Sequence, residues 1–120
     1  MSATNAATPQ TVAVNLLPQH LQQHPDTLLI DVRDHADHAA VRLPGSLCVP
    51  LADLQQQASI IVEHSGNAER PVLLICMLGK RGQMAADHLQ QHISNPLFVL
   101  EGGLNACVEL GVDLLYGGDQ

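Results

Sequence analysis

The sequence predicts an α/β fold: a small, mostly parallel sheet of about five strands with helices on both faces. Three observations predict it. Short apolar runs alternate along the chain with segments spaced for helices, the order that builds a parallel sheet. Two of those runs, residues 27–32 (TLLIDV) and 72–76 (VLLIC), are almost continuously apolar, as strands covered on both faces are. Gly and Pro fall between the segments and punctuate them.

In order, residues 11–16 alternate loosely and hold a first short strand. Pro18 suits the first turn of a short helix over 18–24, and Pro25-Asp26 marks a turn. Residues 27–32 form the second strand. Asp34 is placed to cap a helix over 35–40, where Asp34 and Asp37 favour the positive helix start. Leu43-Pro44-Gly45 breaks it, and 46–49 is a third strand. Residues 51–63 carry Leu51, Leu54, Ala58, Ile61 and Val62 at helical spacing, followed by a loop over 65–71. The fourth strand, 72–76, leads into a tight loop over 77–82 with two glycines. A helix over 83–93 follows, its apolar stripe running through Met84, Ala85, Leu89 and Ile93 until Asn95-Pro96. The last strand, 97–100, runs to Gly102-Gly103 and a helix over 104–110, which Gly111 is placed to end. This gives a disordered leader over 1–10, one domain over 11–116 and a flexible tail over 117–120.

The chain has 120 residues, enough for one domain to bury a core without staples. Aromatics are 2%, so that core is aliphatic. The net charge of −7, with only five Lys and Arg, argues against nucleic acid, which needs a basic stripe and stacking aromatics. No apolar run is long enough to span a bilayer, and the first ten residues do not read as a signal peptide. The three cysteines, Cys48, Cys76 and Cys107, are odd in number and widely spaced, a poor disulfide framework. A reducing, cytoplasmic setting is the default expectation.

Ligands of such sheets sit at the carboxyl ends of the strands. Cys76 ends a buried strand, and Met77, Leu78, Gly79, Lys80, Arg81 and Gly82 lead directly into a helix. The helix start presents free N–H groups, a tight loop can turn successive amides inward, and Lys80 and Arg81 add positive charge. Each favours thiolate over thiol. A buried structural thiol is the competing reading of Cys76 alone. The order strand, Cys, glycine-containing basic loop, helix favours a reactive one.

Several linked segments then resemble the rhodanese family. Cys76 followed by four residues and Arg81 resembles its active-site loop. Leu29-Ile30-Asp31-Val32-Arg33-Asp34 is similar to its Asp-x-Arg strand. Residues 37–46 align with its Glu-Tyr-x-x-Gly-His-Ile-Pro-Gly-Ala segment, Val49-Pro50 with the next Val-Pro, and Gly102-Gly103 with the turn before its last helix. Departures are Arg42 for the usual His, His38 for an aromatic, Gly82 for Ser, Thr or Ala, and Cys107 where Trp is frequent. The resemblance implies a rhodanese-like three-layer sandwich and a sulfurtransferase that needs no cofactor. It implies a Cys76 persulfide, loaded from a small anionic donor such as thiosulfate or a persulfide, held in the 77–82 loop and passed to cyanide or a thiol. The loop is one residue shorter than that of the related dual-specificity phosphatases, which points to sulfur over phosphate. A persulfide carrier serving a partner protein and a non-catalytic interaction module are the rival readings.

Asp31 is expected to accept hydrogen bonds from the loop backbone, and Arg33 can pair with Asp37 across a helical turn. Arg42 reads equally as a second substrate-facing cation or as a solvated residue. His20 and His24, and His88 and His92, stand four apart. Without a third ligand type they read as exposed polar faces, with no metal expected.

Overall fold

A computed structural model describes residues 9–117. Residues 1–8 of the expected leader and 118–120 of the expected tail lie outside the described residues. The inner ends of both segments are ordered. Gln10 opens the first strand against Phe98, and the Gly117 N–H donates to the Ala40 carbonyl at 2.7 Å.

Five strands form one sheet: β1 (Gln10–Ala13), β2 (Leu28–Asp31), β4 (Leu47–Cys48), β5 (Val72–Ile75) and β6 (Leu97–Glu101). Their spatial order is β1-β6-β5-β2-β4, and every pairing is parallel. The helices are α1 (Leu17–Gln23), α2 (His35–Ala40), α3 (Leu51–Gln56), α4 (Ser59–Ser65), α5 (Lys80–Gln90) and α6 (Gly103–Glu109). The mixed fold and parallel sheet agree with the sequence expectation. Two-residue strands β3 (Val41–Arg42) and β7 (Leu115–Tyr116) pair antiparallel apart from it. Two residues are too few to carry an alternation, so the sequence pattern missed both.

β5 lies at the centre, and its side chains alternate between two cores, as strand geometry requires. Val72, Leu74 and Cys76 pack with Leu54 of α3, Ile61 of α4 and Ala85, Ala86 and Leu89 of α5. Leu73 and Ile75 pack on the other side with Leu17 of α1 and Leu104 and Cys107 of α6. All four residues of β5 are fully buried. Each such aliphatic side chain stabilises the fold by roughly 1.5–3 kcal/mol. Fixing the strand this firmly fixes the position of the residue that follows it.

Several local expectations change. The helix expected over 51–63 is two helices, because Gln57 leaves helical geometry (φ −136°, ψ 61°). Leu54 and Ile61 keep the buried places that the spacing indicated, while Val62 is exposed. Asp34 occupies the cap position of α2 without a side-chain capping bond. Met84, placed in the apolar stripe, faces solvent. The residues at 11–16 are only partly strand; Val14–Leu16 form a 3₁₀ turn. His20 is buried rather than exposed. Its ring packs edge-on to Phe98 at 4.6 Å, and burial, followed by His24, pulls its pKa below the usual histidine value.

Candidate active site

Cys76 follows β5 at its carboxyl end, and the chain turns back into α5 within three residues. Gly79 makes that turn at φ +101°, a conformation L side chains rarely adopt. Lys80, Arg81 and Gly82 therefore belong to the first turn of α5, not to a loop as expected. The two glycines made residues 77–82 read as a tight loop, which placed the helix start later.

The Cys76 sulfur is 2% exposed as a residue and accepts two backbone hydrogen bonds. The Gly79 N–H donates to Sγ at 2.9 Å and the Gly82 N–H at 3.2 Å. The Gly82 amide is one of the helix-start donors that have no partner within their own helix. Gly82 lets the helix start approach β6: a Cβ there would crowd Val99 Cγ1 at 3.0 Å, while standing at an ordinary contact distance of 3.7 Å from Sγ.

The loop is held from behind by α6. The Leu104 N–H donates to the Cys76 carbonyl at 2.8 Å, and the Asn105 N–H to the Met77 carbonyl at 2.9 Å. A trans peptide points its carbonyl and N–H in opposite directions. Drawing both carbonyls toward α6 therefore turns the Met77 and Leu78 amides the other way. The approach requires Gly103, whose Cβ would lie 2.2 Å from the Cys76 carbonyl oxygen. Gly79 in turn packs against the Gly102 amide. The Gly102-Gly103 pair is thus part of the site, although it lies in another segment.

A cleft of about 380 Å³ opens over Cys76. The first turn of α5 contributes Lys80 and Arg81, the loop contributes Met77 and Leu78, and Arg33 and Asp37 come from the end of β2 and from α2. Met77 and Leu78 are 45% and 60% exposed, an apolar rim beside two cations. Neither Lys80 nor Arg81 forms an ion pair among the described residues.

Asp31 does not bond the Cys76 loop as expected. It takes the Arg33 N–H at 3.0 Å and both forks of its guanidinium, Nε at 3.1 Å and Nη2 at 2.9 Å. Nη2 also donates to the Val41 carbonyl. Both side chains are buried, so this bidentate pair is shielded from water. Arg33 consequently pairs with Asp31 and not with Asp37. Arg42 does not line the cleft; its guanidinium donates to the carbonyls of Ala39 and Gly117 at 3.3 and 3.4 Å. Asp37 as a cleft residue was missed. Its place in the 37–46 motif was the available signal, and exposure on a helix gave no other.

The other thiols differ. Cys48 donates Sγ–H to the Arg33 carbonyl at 3.4 Å. Desolvation, then the Asp31 charge, pushes its pKa up to about 11. Cys107 is fully buried, and desolvation raises it too. No group of three or more His, Cys, Asp or Glu among the described residues is placed to hold a metal.

A central parallel strand followed at its carboxyl end by a cysteine whose sulfur accepts helix-start amides defines an α/β protein with a cradled thiol at a strand end. The chain belongs to the rhodanese-like domain family, whose sequence profile matches residues 14–110. It is 32% identical over 100 residues to the adenylyltransferase and sulfurtransferase MOCS3 of Drosophila persimilis, covering 81% of this chain and 22% of that protein. It is 24% identical over 85 residues to YrkF of Bacillus subtilis, named as a candidate sulfur carrier, covering 71% of this chain and 43% of that one. The chain thus spans about a fifth of the MOCS3 relative. Its fold matches the thiosulfate sulfurtransferase of Pseudomonas aeruginosa with a TM-score of 0.79 at 20% identity, over 93% of this chain and 21% of that one.

Proposed function

We propose that Cys76 accepts a sulfane sulfur and passes it on, so that the domain works as a sulfurtransferase through a Cys76 persulfide. The observation that carries this reading is the pair of N–H donors, from Gly79 and Gly82, aimed at Sγ. Preorganised donors stabilise charge on the sulfur without reorganising during the reaction. With thiosulfate as donor, the Cys76 thiolate attacks the outer sulfur. A Cys76–sulfur bond forms, the sulfur–sulfur bond of thiosulfate breaks, and sulfite leaves with the electron pair. Cyanide or a thiolate then attacks the outer sulfur of the persulfide and returns Cys76 as thiolate. Lys80 and Arg81 at the mouth draw in the anionic donor, while Arg33, held by Asp31, shapes the floor.

The second reading is a carrier loaded by a partner protein within a sulfur relay. The similarity to a MOCS3 protein and to YrkF favours it. Three free cysteines suit a reducing compartment such as the cytoplasm, and no helix among the described residues is long and apolar enough to cross a membrane.

The test is intact mass after incubation with thiosulfate or polysulfide. The expected result is a gain of one sulfur atom that is lost in Cys76→Ser. A gain that survives the substitution would move the site elsewhere, and no gain with any donor would overturn sulfur transfer. Slow thiosulfate turnover combined with rapid loading by a desulfurase would select the carrier reading.

A further inference from the structure

The two edges of the sheet differ. β4 closes one side with two residues and runs into Val49-Pro50, whose proline has no N–H to offer a further strand. β1 closes the other side with four residues, and among the described residues it pairs only with β6. In a parallel ladder, alternate residues turn their N–H and C=O away from the neighbouring strand. β1 therefore presents backbone donors and acceptors along an open edge. Natural edges of this kind are guarded by charge, above all by Lys. Here Pro9 precedes the strand without interrupting it, and no charge stands on it. Residues 9–25 hold no Asp, Glu, Lys or Arg, and neither do residues 88–100, which include most of β6. The charges behind the net −7 begin at Asp26. Copies of such a chain repel one another over most of their surface and least at this corner. Beside the edge, a groove of about 320 Å³ runs between β1 and α1, lined by Gln19, His20, Gln23 and His24 together with Phe98. Nε2 of His20, a residue 9% exposed, has no hydrogen-bond partner among the described residues. The groove thus holds hydrogen-bonding capacity that its own domain leaves unused.

We propose that this edge docks on the same edge of a second copy, β1 against β1, so that one continuous sheet runs through a dimer. A twofold axis makes the two β1 strands antiparallel. Ala13 of one copy then lies toward Gln10 of the other. Glu101, the charged residue of β6, sits opposite Ala13, so the two Glu101 carboxylates fall at opposite ends of the pairing and do not meet across the axis. A twofold interface also brings like against like. Amide side chains such as Gln10, Gln19 and Gln23 suit it, because each both donates and accepts. The strands of the two copies run in opposite directions, so the two Cys76 clefts open at opposite ends of the joined sheet. Pairing leaves both clefts accessible, and it does not rest on the sulfur-transfer reading. The paired strands are short, so the dimer is weak and its population follows concentration.

The test is sedimentation of the full chain from about 5 to about 500 µM, the range in which a small interface associates. The mass should rise with concentration from 12.8 kDa toward twice that value. Amide exchange at Gln10–Ala13 should slow over the same range. Thr11, exposed on β1, carries the probe charge. Thr11→Lys and Thr11→Glu should each weaken dimerisation roughly tenfold or more, because like charges then face each other across the axis. Mixing the two variants should restore the dimer through opposite charges. That rescue needs both chains folded, so it separates repulsion from misfolding. A wild type that stays monomeric throughout would overturn the proposal and leave the edge to residues 1–8 or to a different protein. A dimer that both Thr11 variants leave intact would overturn it as well, by placing the interface on another face.

Discussion

Cys76 and Cys48 stand at the carboxyl ends of two strands of one sheet, with β2 between them, and their sulfurs face opposite partners. Cys76 Sγ receives two N–H groups. Cys48 Sγ gives its proton to the Arg33 carbonyl and lies near the charges of Asp31, Asp34 and Asp53. One sulfur accepts backbone N–H groups, and the other sits where negative charge on sulfur is penalised. Strand-end position alone therefore does not determine which groups a thiol meets. The direction of the nearest backbone dipoles decides, and those dipoles are set by the segment that follows the strand. After Cys76 the chain turns through Gly79 into a helix start; after Cys48 it runs on through Val49, whose own N–H bonds the Asp31 carbonyl.

The contrast can be broken most directly by removing each thiol. Cys76→Ser should abolish sulfur gain and turnover, while Cys48→Ser should keep both within about twofold of wild type, since surface-distant effects on a separate site are small. Intact mass and steady-state rates read both. The next largest effect concerns the scaffold between the two thiols. Asp31→Ala leaves Arg33 buried without its partner and should cost roughly 3–5 kcal/mol of stability. A urea melt monitored by circular dichroism reads it, and a loss under 1 kcal/mol would show that water reaches the pair. The third comparison is chemical. In a Cys76→Ser background at pH 8, Cys48 should alkylate on the order of a hundredfold slower than a free thiol, because only its thiolate reacts. With its pKa raised to about 11, its rate should climb about tenfold per pH unit up to pH 10. A plateau near pH 9 would erase the difference in surroundings. The smallest effect sharpens the origin of the Cys76 cradle. Gly103→Ala should lower stability by roughly 2–3 kcal/mol through strain and overpacking. It should slow loading as well, because the added methyl pushes the Cys76 carbonyl away from α6.

The buried strands were legible because their apolar runs leave no other placement. Residues 72–75 lie in the sheet centre, and 28–31 beside them. Cys76 and its glycines were legible for the same reason: a strand end, a left-handed glycine and a helix form a local pattern. What escaped was non-local. That Asp31 turns to Arg33, that Gly103 backs the Cys76 loop, and that Asp37 joins Lys80 and Arg81 depend on how separate segments dock. Arg42 shows the limit most plainly. Its position in a motif was visible, but its contact with Gly117 joins residues 75 apart in the sequence.

The backing of the Cys76 loop by α6 has a consequence for how the protein is made. A chain emerges from the ribosome amino end first, and Cys76 appears well before Gly103, Leu104 and Asn105. Until those residues arrive, nothing draws the Cys76 and Met77 carbonyls aside. The support of this loop is thus completed late, only once α6 has been made, and a chain cut short before α6 would carry Cys76 on a loop with nothing behind it.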